Sequence, residues 1–362
     1  MVDSYDPANF SRERLRLARL RSGRTLRDLA ETVNVSHALI SQYESGRSRP
    51  NSSTLASLAT ACGVPSSFFT HSTRTVSLTG LDGTHFRSLR STTKQQRGAA
   101  WTWSEIVLDV AAALEQFVRL PVPNLPTWSL PRDASREEVR FAAEHARDAW
   151  ALPKGPVGHL VRYMEANGIL VCRLPVADDG IDAFSHNGAD RPVVILGSNK
   201  GNAARSRFDA AHELGHLVCH PEADPGGRQE AQAHMFAAEL LMPESDMREL
   251  LPRRFNLNTY SFLKQEWGVS IQALLYRART LEVISEAAYR RAVVDLNTKY
   301  GRRNEPFPLA RADDPTLIAN AARVAEEAGV SLEQLAEAAH LTVADVMAVI
   351  AGGAARPLAM PS

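Results

Sequence analysis

Across residues 11–70 the apolar positions repeat at helical spacing in short blocks separated by turn signals. Leu15 and Leu20 share one face of a first helix, and a second would bury Leu26, Leu29, Ala30 and Val33. Thr25 opens that second helix with Asp28 three residues on, a weaker form of the capping box. Ser36 can cap a third, HALISQYES, whose apolar positions are Leu39, Ile40 and Tyr43; Gly46 ends it, and a fourth runs from Ser53 to Cys62. Further on, an amphipathic stretch from Ala99 to Leu120 and a helix from Ser135 to Trp150 flank PVPNLPTWSLPRDAS, whose four prolines keep it extended. PVGHLVRYMEANG then reads as a helix ending at Gly168, followed by strand candidates ILVCRLP, IDAFSH and RPVVILG. Two more helices carry HELGH and AQAHMFAAELLM.

The tail repeats the opening theme. SLEQLAEAAHLTVADVMAVI lies on TLRDLAETVNVSHALISQYE without a gap, matching Leu335 to Leu29, Ala336 to Ala30, Leu341 to Val35, Thr342 to Ser36 and Val346 to Ile40. The predicted class is mainly α with a small β-sheet (α+β). It divides into a helical domain over 1–72, a linker and helical connector over 73–150, a domain around HELGH over 151–305, and an acidic helical tail over 306–362.

Composition narrows the classes. With 44% hydrophobic and 23% charged residues the chain reads as globular, and no run of eighteen apolar residues predicts a membrane span. The amino end lacks the apolar core of a signal peptide, and three scattered cysteines fit a reducing cytoplasm better than a disulfide framework. Formal charge sums to zero but is polarised. Residues 1–60 hold nine arginines against six acids, whereas residues 313–352 hold seven acids and one arginine. Nucleic acid is therefore expected at the front only. Glu333, Glu337 and Asp345 would repel phosphate, so the tail is expected to serve interaction or dimerisation; it could also dock on the basic first module.

Two short helices joined by a tight turn form the skeleton of a helix-turn-helix, whose second helix enters the major groove. The stretch TLRDLAETVNVSHALISQYESGRSRPNSSTLASLATACGV resembles the XRE-type, lambda-repressor-like DNA-binding family. That resemblance implies that His37, Ala38 and Gln42 face base edges, that Ser36, Arg47 and Arg49 hold phosphates of a double-stranded operator, and that the protein binds as a homodimer. A glutamine can pair with adenine and an alanine can touch a thymine methyl. A helical interaction module with a solvated arginine face is the plainer alternative, and the basic strip Arg87, Arg90, Lys94 and Arg97 reads as a solvated hinge, with phosphate contact as its alternative.

HELGH places His212 and His216 one turn apart on one helix face, able to present two imidazole nitrogens to one ion. Glu213 lies beside them, where a carboxylate can take a proton from water activated by that ion. A third ligand is needed, and Glu230, fourteen residues beyond His216, can supply it from the next helix; His234 then sits one turn away as an orienting neighbour or extra ligand. A core helix with buried, satisfied histidines is the alternative. His220 continues the row too far along the axis to share the ion. Cys219 reads as a small buried apolar residue, and His159 and His186 as packing or solvent histidines.

SRFDAAHELGHLVCH followed by E-x-x-A-x-x-FAAELLMP is similar to the ImmA/IrrE metallopeptidase family, including forms fused to an XRE domain. The similarity extends through DAFSHNGADRPVVILG and WGVSIQALLYRARTLEVIS. It implies a zincin-like fold with metal ligands His212, His216 and Glu230 and catalytic Glu213; many members have Asn where this chain has His234. It also places Tyr276 and Arg277 where transition-state stabilisation can be asked of them, though packing is the simpler role. The implied function is a cytoplasmic DNA-binding regulator with a Zn2+-dependent endopeptidase domain, Mn2+ or Fe2+ being able to fill such a site. Its protein substrate would be itself, within 71–98 or 120–135, or a cognate repressor or antitoxin. A non-proteolytic regulator sensing a ligand or metal, and a toxin–antitoxin partner, are the rival expectations.

Overall fold

The computed structural model describes residues 6–70, 93–175, 182–188, 190–197, 202–221, 227–301, 304–309 and 313–352. Among them are sixteen α-helices and one three-stranded sheet, the mainly helical α+β class that the sequence pattern predicts.

At the amino end, α1 (Arg12–Arg21), α2 (Leu26–Thr32), α3 (His37–Ser45) and α4 (Ser52–Cys62) each start at a capping side chain: Ser11, Thr25, Ser36 and Asn51. At Thr25 both halves of the capping box with Asp28 are formed, a fuller cap than the sequence suggests. Gly46 ends α3 at φ 75°, a left-handed conformation that costs a glycine little. Leu15, Leu29, Ile40 and Leu58 are fully buried between these helices.

The helix α5 (Lys94–Leu114) departs from the amphipathic stretch expected over Ala99–Leu120. Every residue from Ala99 to Ala111 is buried, Trp101 and Trp103 among them. A helix buried on all faces is a central one, and α5 is packed by α1, by the sheet, and by the tail helices α14 (Leu317–Glu327), α15 (Leu332–Ala339) and α16 (Val343–Ile350). One of its buried acids is matched by α1: Arg14 donates to both carboxylate oxygens of Asp109 at 3.0 Å. The tail meets the basic module through an ion pair between Arg21 and the fully buried Asp345. It leaves the outward residues of α3 exposed.

The strands β1 (Leu170–Arg173), β2 (Ala183–Asn187) and β3 (Pro192–Leu196) lie in the order β1-β3-β2, with β1 parallel and β2 antiparallel to β3. Successive side chains point to opposite faces, and here both faces are buried. Leu170, Cys172, Phe184, Val193 and Ile195 join the core of α1–α5 and the tail. Val171, Ala183, Val194 and Leu196 join a second core built on α6 (Arg136–Ala149), α7 (Leu160–Ala166), α8 (Ala203–Cys219) and α9 (Gly227–Leu241). The sheet is thus a wall shared by two cores.

The segment 120–135 is extended, as its prolines require, but it is pinned and not the flexible stretch expected of a cleavage site. Trp128 N–H donates to the Val218 carbonyl at 2.9 Å and Leu130 N–H to that of Cys219 at 3.1 Å, using carbonyls that the end of α8 leaves open. Asn124 is held through its N–H to Asn167, 2.9 Å, and through its carbonyl by the Trp150 indole, 2.8 Å. The three cysteines are buried thiols, and burial pushes Cys62 up to about 11 and Cys172 and Cys219 to about 12. Among the described residues no helix is long and apolar enough to cross a membrane.

Candidate metal centre and nucleic-acid interface

Helix α8 stacks His212 and His216 on one face, with their Nε2 atoms 3.1 Å apart. The first turn of α9 brings Glu230 to both: Oε2 lies 3.4 Å from His212 Nε2 and Oε1 3.5 Å from His216 Nε2. The approach of α9 depends on Gly215 within HELGH. A Cβ there would stand 3.0 Å from the Phe236 ring and 3.3 Å from the Ala233 Cα, a backbone atom that cannot turn away. Among the described residues these three side chains are the one group of histidine, cysteine or acid whose ligating atoms gather this closely.

Ligands held tetrahedrally at about 2.1 Å from a zinc ion lie about 3.4 Å from one another. The two imidazole nitrogens, 3.1 Å apart, and the nearest Glu230 oxygen to each, 3.4 Å from His212 and 3.5 Å from His216, are spaced as neighbouring ligands of one such ion would be. The donor set, two imidazoles and one carboxylate, leaves a fourth position for water or substrate. The electrostatics also favour positive charge here. Burial opposes charge on His212, but the hydrogen bond to Glu230 and the carboxylates of Glu213 and Glu230 outweigh it and raise its pKa. Burial would raise the Glu230 carboxyl, yet the neighbouring His212 and His216 rings hold it well below the usual range. The residues present fit a divalent ion.

Glu213 is buried beside the group, and its Oε2 accepts a hydrogen bond of 2.7 Å from the Ser185 hydroxyl of β2. Ser185 faces α8 because the alternation that sends Phe184 to the first core sends its neighbours to the second. Nothing in the sequence distinguished Ser185 from other strand polar residues. His220 does not reach the three ligating atoms; it lies behind His216, their Nδ1 atoms 3.2 Å apart. Its Nε2 is 2.9 Å from Gln232 Oε1, and the Gln232 amide donates to the Pro131 carbonyl at 2.8 Å. Burial lowers the His220 pKa to about 4, so the ring is neutral. Gln232, two positions from Glu230, falls outside the helical repeat that relates Glu230 to His234, so its spacing does not mark it.

His234 does not join the group. Its ring packs 4.9 Å from Phe208 and 5.6 Å from Tyr276 and borders a cavity of about 300 Å³, where burial lowers its pKa. Arg277 is turned to packing: it donates to the Met242 carbonyl at 2.9 Å and pairs with Glu239. His159 caps α7, accepting from Arg162 N–H at 3.2 Å, and His186 stacks on Trp101 with Nε2 2.9 Å from the Ser104 hydroxyl.

On the amino-terminal module, Ser36, His37, Ala38, Gln42, Arg47 and Arg49 are all exposed, along α3 and the turn after it. Ile40 and Tyr43 point inward, and Glu44 takes both branches of Arg19 at 2.6 and 2.9 Å. The outer face of α3 is therefore polar and open while the inner face is spent on the fold. Of the first-helix arginines, Arg14 and Arg19 are committed to Asp109 and Glu44, which removes them from a phosphate-contacting role. Arg87 and Arg90 of the expected hinge lie outside the described residues.

Residues 164–279 match the family model of the IrrE N-terminal-like domain, peptidase family M78. Residues 12–67 match the model of a helix-turn-helix domain. No curated protein sequence matches the chain.

Proposed function

From a chain that joins a DNA-binding helix-turn-helix domain to an IrrE N-terminal-like, metallopeptidase-like domain, we propose a transcriptional regulator with a zinc-dependent endopeptidase. His212, His216 and Glu230 would hold the ion, and the observation that carries this is the close gathering of their ligating atoms. When bound, zinc supplies the Lewis acidity that polarises a peptide carbonyl. Glu213 acts as the general base: Ser185 occupies Oε2, which leaves Oε1 to take the proton of the attacking water and hand it to the leaving amine. At the other end, His37, Ala38 and Gln42 read base edges while Ser36, Arg47 and Arg49 position the protein on phosphates.

The substrate under this proposal is the chain itself or a cognate repressor or antitoxin. The hydrogen bonds that pin residues 124–130 argue against a cut there, so within this chain the part of 71–98 that precedes α5 is the segment of choice. Purified protein incubated with zinc and a repressor-type substrate, then mass-mapped for new termini, should show a cut that Glu213→Gln abolishes while metal is retained. Zinc retention with no cleavage by the wild type, and regulation unchanged in Glu213→Gln, would replace proteolysis with metal or ligand sensing.

A further inference from the structure

We propose that His220 and Gln232 are positioning residues that hold His216 with its Nε2 lone pair turned toward His212 and Glu230, through a hydrogen-bond relay anchored on the Pro131 carbonyl. This rests on the metal-site reading above. The relay has one polarity, set by the end that cannot donate. A peptide carbonyl only accepts, so the Gln232 amide must donate to Pro131, 2.8 Å away, and its Oε1 is thereby aimed at His220. That oxygen also only accepts, so His220 Nε2, 2.9 Å away, carries the proton. With that proton on Nε2, His220 offers its Nδ1 as the acceptor to a ring that must keep its own Nε2 free for the metal. The atom 3.2 Å from it, His216 Nδ1, must then be the donor. With its proton on Nδ1, His216 presents an unprotonated Nε2 to the site, the form that can ligate a metal.

The chain of bonds also explains two features that the ligand geometry leaves idle. Gln232 is 3% exposed, a costly place for an amide unless both ends are bonded, and here both are. The segment carrying Pro131 is itself tied to the last turn of α8 by Trp128 and Leu130. The proline-rich stretch thus buttresses the same turn that carries His216 and His220.

Two measurements test the relay. In metal-free wild-type protein with 15N-labelled histidine, long-range proton–nitrogen spectra should show His216 protonated at Nδ1 and His220 at Nε2. In zinc competition against a chromophoric chelator, His220→Ala and Gln232→Met should each weaken binding by ~10–100-fold with unchanged circular dichroism. His220→Gln, whose amide oxygen can accept from His216 Nδ1, should recover most of that loss. A proton on His216 Nε2 in the wild type, or equal zinc affinity in wild type and His220→Ala, would overturn the relay. Absence of zinc binding by the wild type would instead refute the metal centre, and the tautomer spectra would still judge the relay by themselves.

Discussion

Residues 26–45 and 332–350 fold into the same pair of helices, with Ser36 capping the second helix in one and Thr342 in the other. Apart from Leu39, their apolar positions correspond, yet the residues between have opposite fates. In α3 His37, Ala38 and Gln42 are exposed. In α16 the residue matching Gln42 is Ala348, which is buried, and the residue matching Leu39 is Asp345, which is buried against Arg21. The first skeleton spends only its inner face on the core and keeps a polar surface for a partner. The second is apolar enough on both sides to be taken into the body of the protein against α5. An apolar repeat therefore specifies a helix pair, and the residues between the repeats decide whether that pair meets solvent or protein.

The comparison can be broken most forcefully at Asp345. Asp345→Ala leaves Arg21 facing a buried site without its counter-charge and should cost about 3 kcal/mol of stability in urea denaturation; a loss below 1 kcal/mol would mean the tail is not held by this pair. Gln42→Ala, exposed and outside the core, should leave the denaturation midpoint unchanged and weaken operator binding by roughly 1–3 kcal/mol at an adenine position. Arg47→Ala should lower affinity for all sequences alike and reduce the salt slope of binding by about 1, readable in a filter or anisotropy titration across ionic strength. The smallest effect belongs to Met347, which matches Ser41 and is 52% exposed. Met347→Gln should stay within roughly 0.5 kcal/mol of the parent in stability and leave DNA binding untouched.

Legibility followed the range of the interaction. Caps at Thr25, Ser36 and Ser135 bond N–H groups three residues on, so the helix starts could be read from short motifs. His212 and His216 are one helical turn apart, and the structure brings Glu230 to them with its neighbour helix, as the spacing allows. Ser185 and Gln232 were opaque because their partners, Glu213 and the His220–Pro131 pair, come from distant parts of the chain. The burial of α5 was missed for a related reason. Glu105 and Asp109 look like solvent-facing positions until Arg14, ninety-five residues away in sequence from Asp109, is known to lie beside it.

By itself the sequence determined much of the helical pattern, the starts at Thr25, Ser36 and Ser135, and which side chains share a helix face, since these follow from the 3.6-residue repeat and from contacts within a turn. It also determined the chemistry on offer: imidazoles, carboxylates and an outward amide on α3. Only the tertiary structure decided that the sheet serves two cores, that α5 is central, that the tail is docked, which oxygen of Glu213 accepts from Ser185, and which nitrogen of His216 lies near His212 and Glu230. Those outcomes depend on hydrogen bonds and ion pairs between residues distant in sequence, whose directions exist only once the elements are packed.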